Sequence, residues 1–299
     1  MTLPLFDAHD DAEHRHFHDP AFARIRRGWY VDRAALEALP QHQRHLLDVR
    51  AVAAARPRAI FARESALVLA GLPAGIPQDV FTIGRTATSG YANGVRHSHA
   101  AIDDADVVET DGIAHCSPAY ALADIARRGR QVDAVSALDW ALRTGAVGRE
   151  AVTDALARQG RRGQRRAAWV VAFADPLAES VGESWSRVAF HRMGAPSPQL
   201  QVRVMTRLGP RFPDFLWERP GMRPLGGEFD GAVKYGVLAA ANGVQPVDAV
   251  IREKQREDAL REHIDTLHWM WDSVQHPERL MRMLAGARVP VRGALLPGW

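Results

Sequence analysis

The spacing of apolar and polar positions changes several times along the chain, and each change marks an element. Over 22–32, FARIRRGWYVD alternates apolar and basic residues up to Gly28 and is largely apolar after it, the pattern of a β-hairpin with Gly28 in or near its turn. Helical spacing follows from about Ala34 to Ala55, with Pro40 expected to interrupt it. AIFARESALVLAGLP predicts a strand and a short helix that stops at Gly71 and Pro73. DVFTIG and GVRHSHA are strand-like. CSPAYALADIARRG opens on Ser117 as a cap and Pro118 at the first helical position, and ends on Arg127, Arg128 and Gly129. Two more amphipathic helices are expected from VDAVSALDWALRTG and REAVTDALARQG, and a further one after QGRRGQRRAAWVV.

Beyond residue 173 the pattern predicts helix, three strands, helix, strand, helix. ADPLAESVGESWSRVAFHRMG reads as one helix with Glu179 and Glu183 on a shared face. QLQVRVM, FPDFLWE and PLGGEFDG read as the strands, the second carrying Asp214 and the third Glu228 and Asp230 on one face. VIREKQREDALREH is a helix, LHWMW a strand and HPERLMRML a closing helix. The class expected is α/β (α+β overall), with a C-terminal mixed sheet flanked by helices.

Length and composition narrow the picture. At 299 residues the chain fits roughly two domains of ~150 residues. Its 46% hydrophobic and 24% charged residues are those of a soluble globular protein, and no apolar run approaches the ~18 residues of a membrane span. The first residues, MTLPLFDAHDDAEHRH, are acidic and His-rich, unlike a signal peptide, so a cytoplasmic protein without a membrane partner is expected. His9, His14, His16 and His18 read as a solvated tail or a metal tract. The single Cys116 excludes an intrachain disulfide and a cysteine-based zinc site. A net charge of +3 makes no case for nucleic acid by itself, so such a case rests on local clusters. Two exist: Arg24, Arg26 and Arg27 on the hairpin, and Arg161, Arg162, Arg165 and Arg166. Each reads either as phosphate contacts or as solvated surface. His97 and His99 share one side of a strand, as surface residues or a metal pair, and Asp124 with Arg127 reads as a helix-surface ion pair.

The densest acids lie between Arg211 and Arg261. They include Asp214, Glu228, Asp230, Glu253, Glu257 and Asp258, and the chain's only two lysines, Lys234 and Lys254, fall among them. Lysine offers a compact charge of tunable pKa where arginine does not. Hard carboxylate oxygens are ligands for Mg²⁺ or Mn²⁺, and such an ion activates water against a phosphodiester. Asp214 and Glu228 on neighbouring strands, with Glu183 from a packed helix, are the expected metal ligands, and Lys234 the residue that orients water or neutralises charge. Two same-face carboxylates, Glu228 and Asp230, repel unless a cation or Lys234 lies between them. A salt-bridge network is the other reading of the same residues. Gly231 is expected to serve a turn, and Trp217, Trp269 and Trp271 to be core rather than stacking platforms for bases. No phosphate-binding loop, dinucleotide fingerprint or nucleophile elbow is present, so no organic cofactor is expected.

Two resemblances organise these observations. RIRRGWYV resembles the wing that ends the N-terminal domain of the AbiEi family, antitoxins of type IV toxin–antitoxin systems that act as transcriptional repressors. Only some 20 residues precede Arg24, so the segment resembles a truncated winged helix. The run of ESALVLAGLP, two strands, SPAYALADIAR and a following helix is similar to the AbiEi middle region. The string ExxxESxxR, DFxW, GEFDGxxKYG, EKxREDxLR and WxW, at 179–187, 214–217, 227–236, 253–261 and 269–271, resembles the Vsr-like, DUF559-type nuclease domain of PD-(D/E)xK fold. The resemblance implies a restriction-endonuclease-like core at 161–299 behind an AbiEi-like region at 56–160 and a truncated winged-helix-like segment at 1–55. It implies Asp214 and Glu228 as metal ligands, Glu183 as a helix-borne acid beside them, Lys234 in place of a common histidine, and Arg256 on the site-facing helix. Asp230 occupies the position of the motif's lysine. Lys254 and the arginine clusters would hold nucleic acid. The implied function is a Mg²⁺-dependent DNA endonuclease or, alternatively, a non-catalytic antitoxin-like regulator that binds DNA or a cognate toxin.

Overall fold

The computed structural model describes residues 3–7, 19–75, 77–85, 88–231 and 246–298, and side chains for all of these except 41–42 and 246–253. Lys234 and the His9–His18 tract lie outside it. The fold is mixed α and β, in two compact units, Met1–Phe173 and Ala174–Trp299.

In the first unit, β1 (Phe6–Asp7) pairs with β3 (Trp29–Asp32), which closes the expected hairpin with β2 (Phe22–Arg26). Gly28, at φ 82°, supplies the left-handed turn. α1 (Arg33–Ala38) is capped by Asp32, whose side chain accepts from the Ala35 amide, and Pro40 separates it from α2 (Gln41–Ala55). β4 (Ile60–Phe61), α3 (Arg63–Leu69), β5 (Val80–Gly84), β6 (Gly90–Ala92), β7 (Val95–His99), β8 (Val107–Thr110) and β9 (Ile113–Cys116) follow. The strands form one six-stranded sheet in the order β6-β7-β5-β4-β9-β8, with parallel pairs at β5–β7 and β4–β9. Val49, Val52, Phe61, Leu69, Val80 and Val95 make one core, between α2, α3 and this sheet.

α4 (Pro118–Arg128), α5 (Gln131–Thr144), α6 (Arg149–Ala157) and α7 (Gln164–Phe173) complete the unit. α7, expected at the head of the C-terminal domain, lies with the first unit instead. Its position follows from Arg127. The Asp124–Arg127 pair is buried rather than on the surface, with side chains 5% and 3% exposed. Arg127 donates through Nε and Nη2 to the Arg162 carbonyl at 3.0 and 2.7 Å, and through Nη1 to Gln159 Oε1 at 3.1 Å. Gly163 fits against this clamp because a Cβ there would stand 2.6 Å from the Arg127 carbonyl oxygen. The arginine-rich turn before α7 is therefore pinned from beneath.

In the second unit, α8 (Val181–Arg192) starts later than expected. Asp175 accepts from the Leu177 amide at 2.9 Å and turns the chain after Ala174, so Glu179 precedes the helix and shares no face with Glu183. The strand expected over QLQVRVM divides at Gln201, whose φ of 49° breaks the pleat, into β10 (Gln199–Leu200) and β11 (Val204–Thr206). β12 (Gly209–Arg211) follows and pairs with β11. β13 (Phe215–Trp217), β14 (Leu225–Phe229), α9 (Pro246–Arg261), β15 (Asp265–Trp269), α10 (Trp271–Gln275) and α11 (Pro277–Gly286) follow. The main sheet runs β10-β13-β14-β15, antiparallel except for the parallel pair β14–β15.

The two faces of this sheet are sharply different. Phe190 of α8 packs edge-on against Phe215, Trp217 and Trp269, at ring distances of 5.1, 5.0 and 5.7 Å. The Trp269 indole donates to Ser186 Oγ at 2.8 Å. Trp217 and Trp269 are thus core, as expected, and Trp271 lies edge-on to Phe229 at 5.0 Å. Glycines let the layers approach. A Cβ on Gly227 would stand 2.6 Å from Trp269, and one on Gly226, on the opposite face, 2.6 Å from Ile264 Cδ1. Leu216, Leu260 and Ile264 form the small core of that second face, under α9.

Candidate metal centre

Strand alternation decides where the acids go. Gly227 and Phe229 face α8, so Glu228 and Asp230 project on the side of Gly226 and α9. The parallel register sets His268 beside Glu228 and Trp269 beside Phe229. Since Trp269 fills the α8 core, His268 points to the acids' side. The Asp230 amide donates to the Trp269 carbonyl at 2.8 Å, carrying the pairing one step beyond β14 and fixing Asp230 against its neighbour. Among the described residues, Glu228, Asp230 and His268 are the group able to hold a metal: one ligand atom from each lies within 4.8 Å of the others.

His268 is set between two carboxylates. Its Nδ1 is 3.1 Å from Asp230 Oδ2, and its Nε2 is 3.4 Å from Glu257 Oε1 of α9. Glu257 is itself paired with Arg261 one turn on. Both carboxylates can be met only by a proton or cation on each ring nitrogen. Nε2 stands at ion-pair distance from Glu257 without a formed hydrogen bond among the described residues, and Nδ1 faces Asp230. A carboxylate behind a histidine whose other nitrogen faces a cation is the usual support for a metal ligand. Two carboxylates and an imidazole suit Mn²⁺ better than Mg²⁺, which prefers oxygen donors alone.

The other expected ligands lie elsewhere. Asp214 sits just before β13 rather than on it, and its Oδ2 accepts from the Phe229 amide at 2.8 Å. Glu183 is turned back on its own helix. Ser180 caps α8, accepting from the Glu183 amide at 3.2 Å, while Glu183 Oε2 accepts from the Glu179 amide at 2.8 Å. This is a variant of the capping box, encoded by Ser180-x-x-Glu183. Burial, reinforced by the nearby Asp214 carboxylate, pushes the Glu183 carboxyl up to about 7. Of the expected ligand set Asp214, Glu228 and Glu183, Glu228 thus belongs to the three-residue group, while Asp214 and Glu183 form a neighbouring acidic pair. Gly231 has no left-handed backbone, and a Cβ there would meet Phe229 at an ordinary 3.8 Å, so neither its φ nor close packing against a described residue requires a glycine.

The residues expected to hold nucleic acid divide. Arg26 pairs with Asp48 at 3.1 Å and donates to the Asn93 carbonyl at 2.7 Å, and Arg166 donates to the Gly129 carbonyl, so both are structural. Arg24, Arg27, Arg161, Arg162 and Arg165 are exposed, as are Lys254 and Arg256 on α9.

No protein-family model matches the chain. Two uncharacterized proteins of Mycobacterium tuberculosis, one from strain CDC 1551 / Oshkosh and one from strain H37Rv, are each 38% identical to it over 109 residues. That match spans 36% of this chain and 40% of each relative.

Proposed function

We propose that the second unit is a divalent-metal-dependent phosphodiesterase acting on DNA, with Glu228, Asp230 and His268 as the residues that hold the ion. The observation that carries this reading is the convergence of those three side chains at the end of a parallel strand pair, backed by Glu257. An ion bound there would polarise a phosphate oxygen and acidify a bound water. Glu257 would help orient the ring of His268, with Nδ1 toward Asp230 and the ion. Glu183 exchanges its proton near neutrality and belongs to the neighbouring acidic pair with Asp214. Cleavage of plasmid and single-stranded DNA with Mn²⁺ or with EDTA, by wild type and Asp230→Asn, tests the reading. Metal-dependent nicking lost in the variant supports it; nicking of equal rate in both, or surviving EDTA, rejects it.

A second reading, a DNA-binding regulator without cleavage, is favoured by one observation. The side chains of Arg161, Arg162 and Arg165 make no hydrogen bond or ion pair to any described residue, on a turn whose backbone is clamped by Arg127. Salt-sensitive duplex binding, weakened when these three are neutralised and without strand cleavage, would support it. A toxin partner would then be sought by co-purification.

A further inference from the structure

We infer that the first unit carries a nucleotide-binding site in the open cavity beside β5 and β7, remote in kind from the acid cluster of the second unit. The cavity has a volume of about 900 Å³, inside the range of small-molecule sites. Its walls are chemically divided. Ile60 and its strand partner Ile83, with Ile102, supply apolar surface, and Arg56, Arg58 and Arg85 supply three guanidinium groups. The side chains of these three exposed arginines make no hydrogen bond or ion pair to any described residue, unlike the paired Arg26, Arg127 and Arg219. Asp103 and Asp104 also line the cavity, so the site is not simply basic.

His97 supplies the independent sign of a ligand. It lines the cavity, and its Nδ1 is 3.0 Å from Thr82 Oγ1. Its Nε2 is buried and has no hydrogen-bond partner among the described residues. When the Thr82 hydroxyl donates to Nδ1, Nε2 must carry the proton, leaving a donor without an acceptor beside three uncommitted guanidiniums. A phosphate group suits the three planar guanidiniums, which offer paired donors to its oxygens. A bare anion would gain nothing from the isoleucines and would be repelled by the two aspartates. A nucleotide has an apolar base for the first, and amino or ribose hydroxyl donors for the second.

The test is equilibrium binding to the full chain, at low salt and in EDTA so that metal-dependent chemistry is silent. The probes are AMP, adenosine, inorganic phosphate and a 5′-phosphorylated oligodeoxynucleotide. AMP should bind saturably, with adenosine and inorganic phosphate each at least tenfold weaker. Arg58→Glu with Arg85→Glu should weaken AMP at least tenfold while leaving the far-ultraviolet spectrum unchanged, and Asp103→Asn should leave the site occupied. Tighter binding of the oligonucleotide than of AMP assigns the site to a strand terminus, and the reverse to a free nucleotide. Absent AMP binding, equal binding of AMP and inorganic phosphate, or equal affinity in the double variant overturns the proposal. Because no probe depends on Glu228, Asp230 or His268, either site can fail without the other.

Discussion

Gly182, in the first turn of α8, lies so close to the ring of Phe229 that a methyl group in its place would overlap the ring. This contact sets the helix against the end of β14, next to the step where the chain carries Glu228 and Asp230. Gly182→Ala must push the helix or the ring aside, and overpacking of this kind costs typically ~1–3 kcal/mol. The expected loss appears as a lower urea midpoint followed by tryptophan fluorescence. Phe229→Leu should recover part of it in the double variant, because the two changes share one contact. Strict additivity would show that the glycine matters for another reason.

Glu183 gives the second unit a pH dependence of defined sign. Its folded carboxyl, at about 7, exceeds the unfolded value of 4.5. As pH rises between those values, the unfolded chain ionises at this position while the folded one keeps its proton. Stability therefore declines with rising pH over that window, by at most ~3 kcal/mol, and is flat above it. Glu183→Gln should remove the slope, since a neutral amide can still accept from the Glu179 amide. Asp214→Asn should shrink the slope by removing a repelling charge. Urea unfolding across the window measures both; a wild-type stability that rises over the same interval would contradict the burial argument.

Much of this arrangement was legible in the sequence, and what was not has identifiable causes. The mixed fold, the hairpin around Gly28, the break at Pro40 and the capped start of α4 followed from local chemistry. The type I′ signals Asn93-Gly94 and Asp111-Gly112, with φ of 51° and 71°, and 52° and 75°, turn the hairpins β6–β7 and β8–β9, and the second could have been read from its Asp-Gly alone. Glu228 and Asp230 were found together because alternation within one strand is local. His268 was not, because its neighbour is set by a parallel register across more than thirty residues, which no local pattern encodes. Glu183 reads from the sequence as a ligand, while Ser180-x-x-Glu183 also reads as a capping signature, and one of its carboxylate oxygens accepts from the Glu179 amide. The burial of Asp124 and Arg127 depends on α6 and α7 packing over them, which i, i+3 spacing cannot reveal.

That burial predicts a local as well as a global effect. Arg127→Leu removes the clamp on the Arg162 carbonyl and leaves Asp124 with the partly exposed Arg128, 3.1 Å away, as its cation. Breaking a buried pair in this way costs about 3 kcal/mol or more. Local release should also expose the turn before α7, so trypsin should cut at Arg161 and Arg162 faster than in wild type under native conditions. Arg127→Lys retains the charge but not the fork and should fall between the two. Equal cleavage rates in all three proteins would mean that the turn is held by other contacts.

The acid cluster makes the sharpest separation between residues. If Glu228, Asp230 and His268 hold the ion, His268→Ala and Asp230→Asn should each abolish saturable Mn²⁺ binding by calorimetry. Glu257→Gln should weaken it by about 10–100-fold, the usual cost of losing the group behind a ligating histidine. The same substitution should leave metal-free stability nearly unchanged, because the Glu257–Arg261 pair lies on a half-exposed helix surface and such pairs contribute little. Asp214→Ala should weaken binding less than Asp230→Asn, since the Asp214 carboxylate is engaged by the Phe229 amide. The opposite order, with Asp214 indispensable and Asp230 and His268 dispensable, would move the ion to the Asp214–Glu183 pair and leave the His268 cluster as an ion-pair network that orders the sheet against α9.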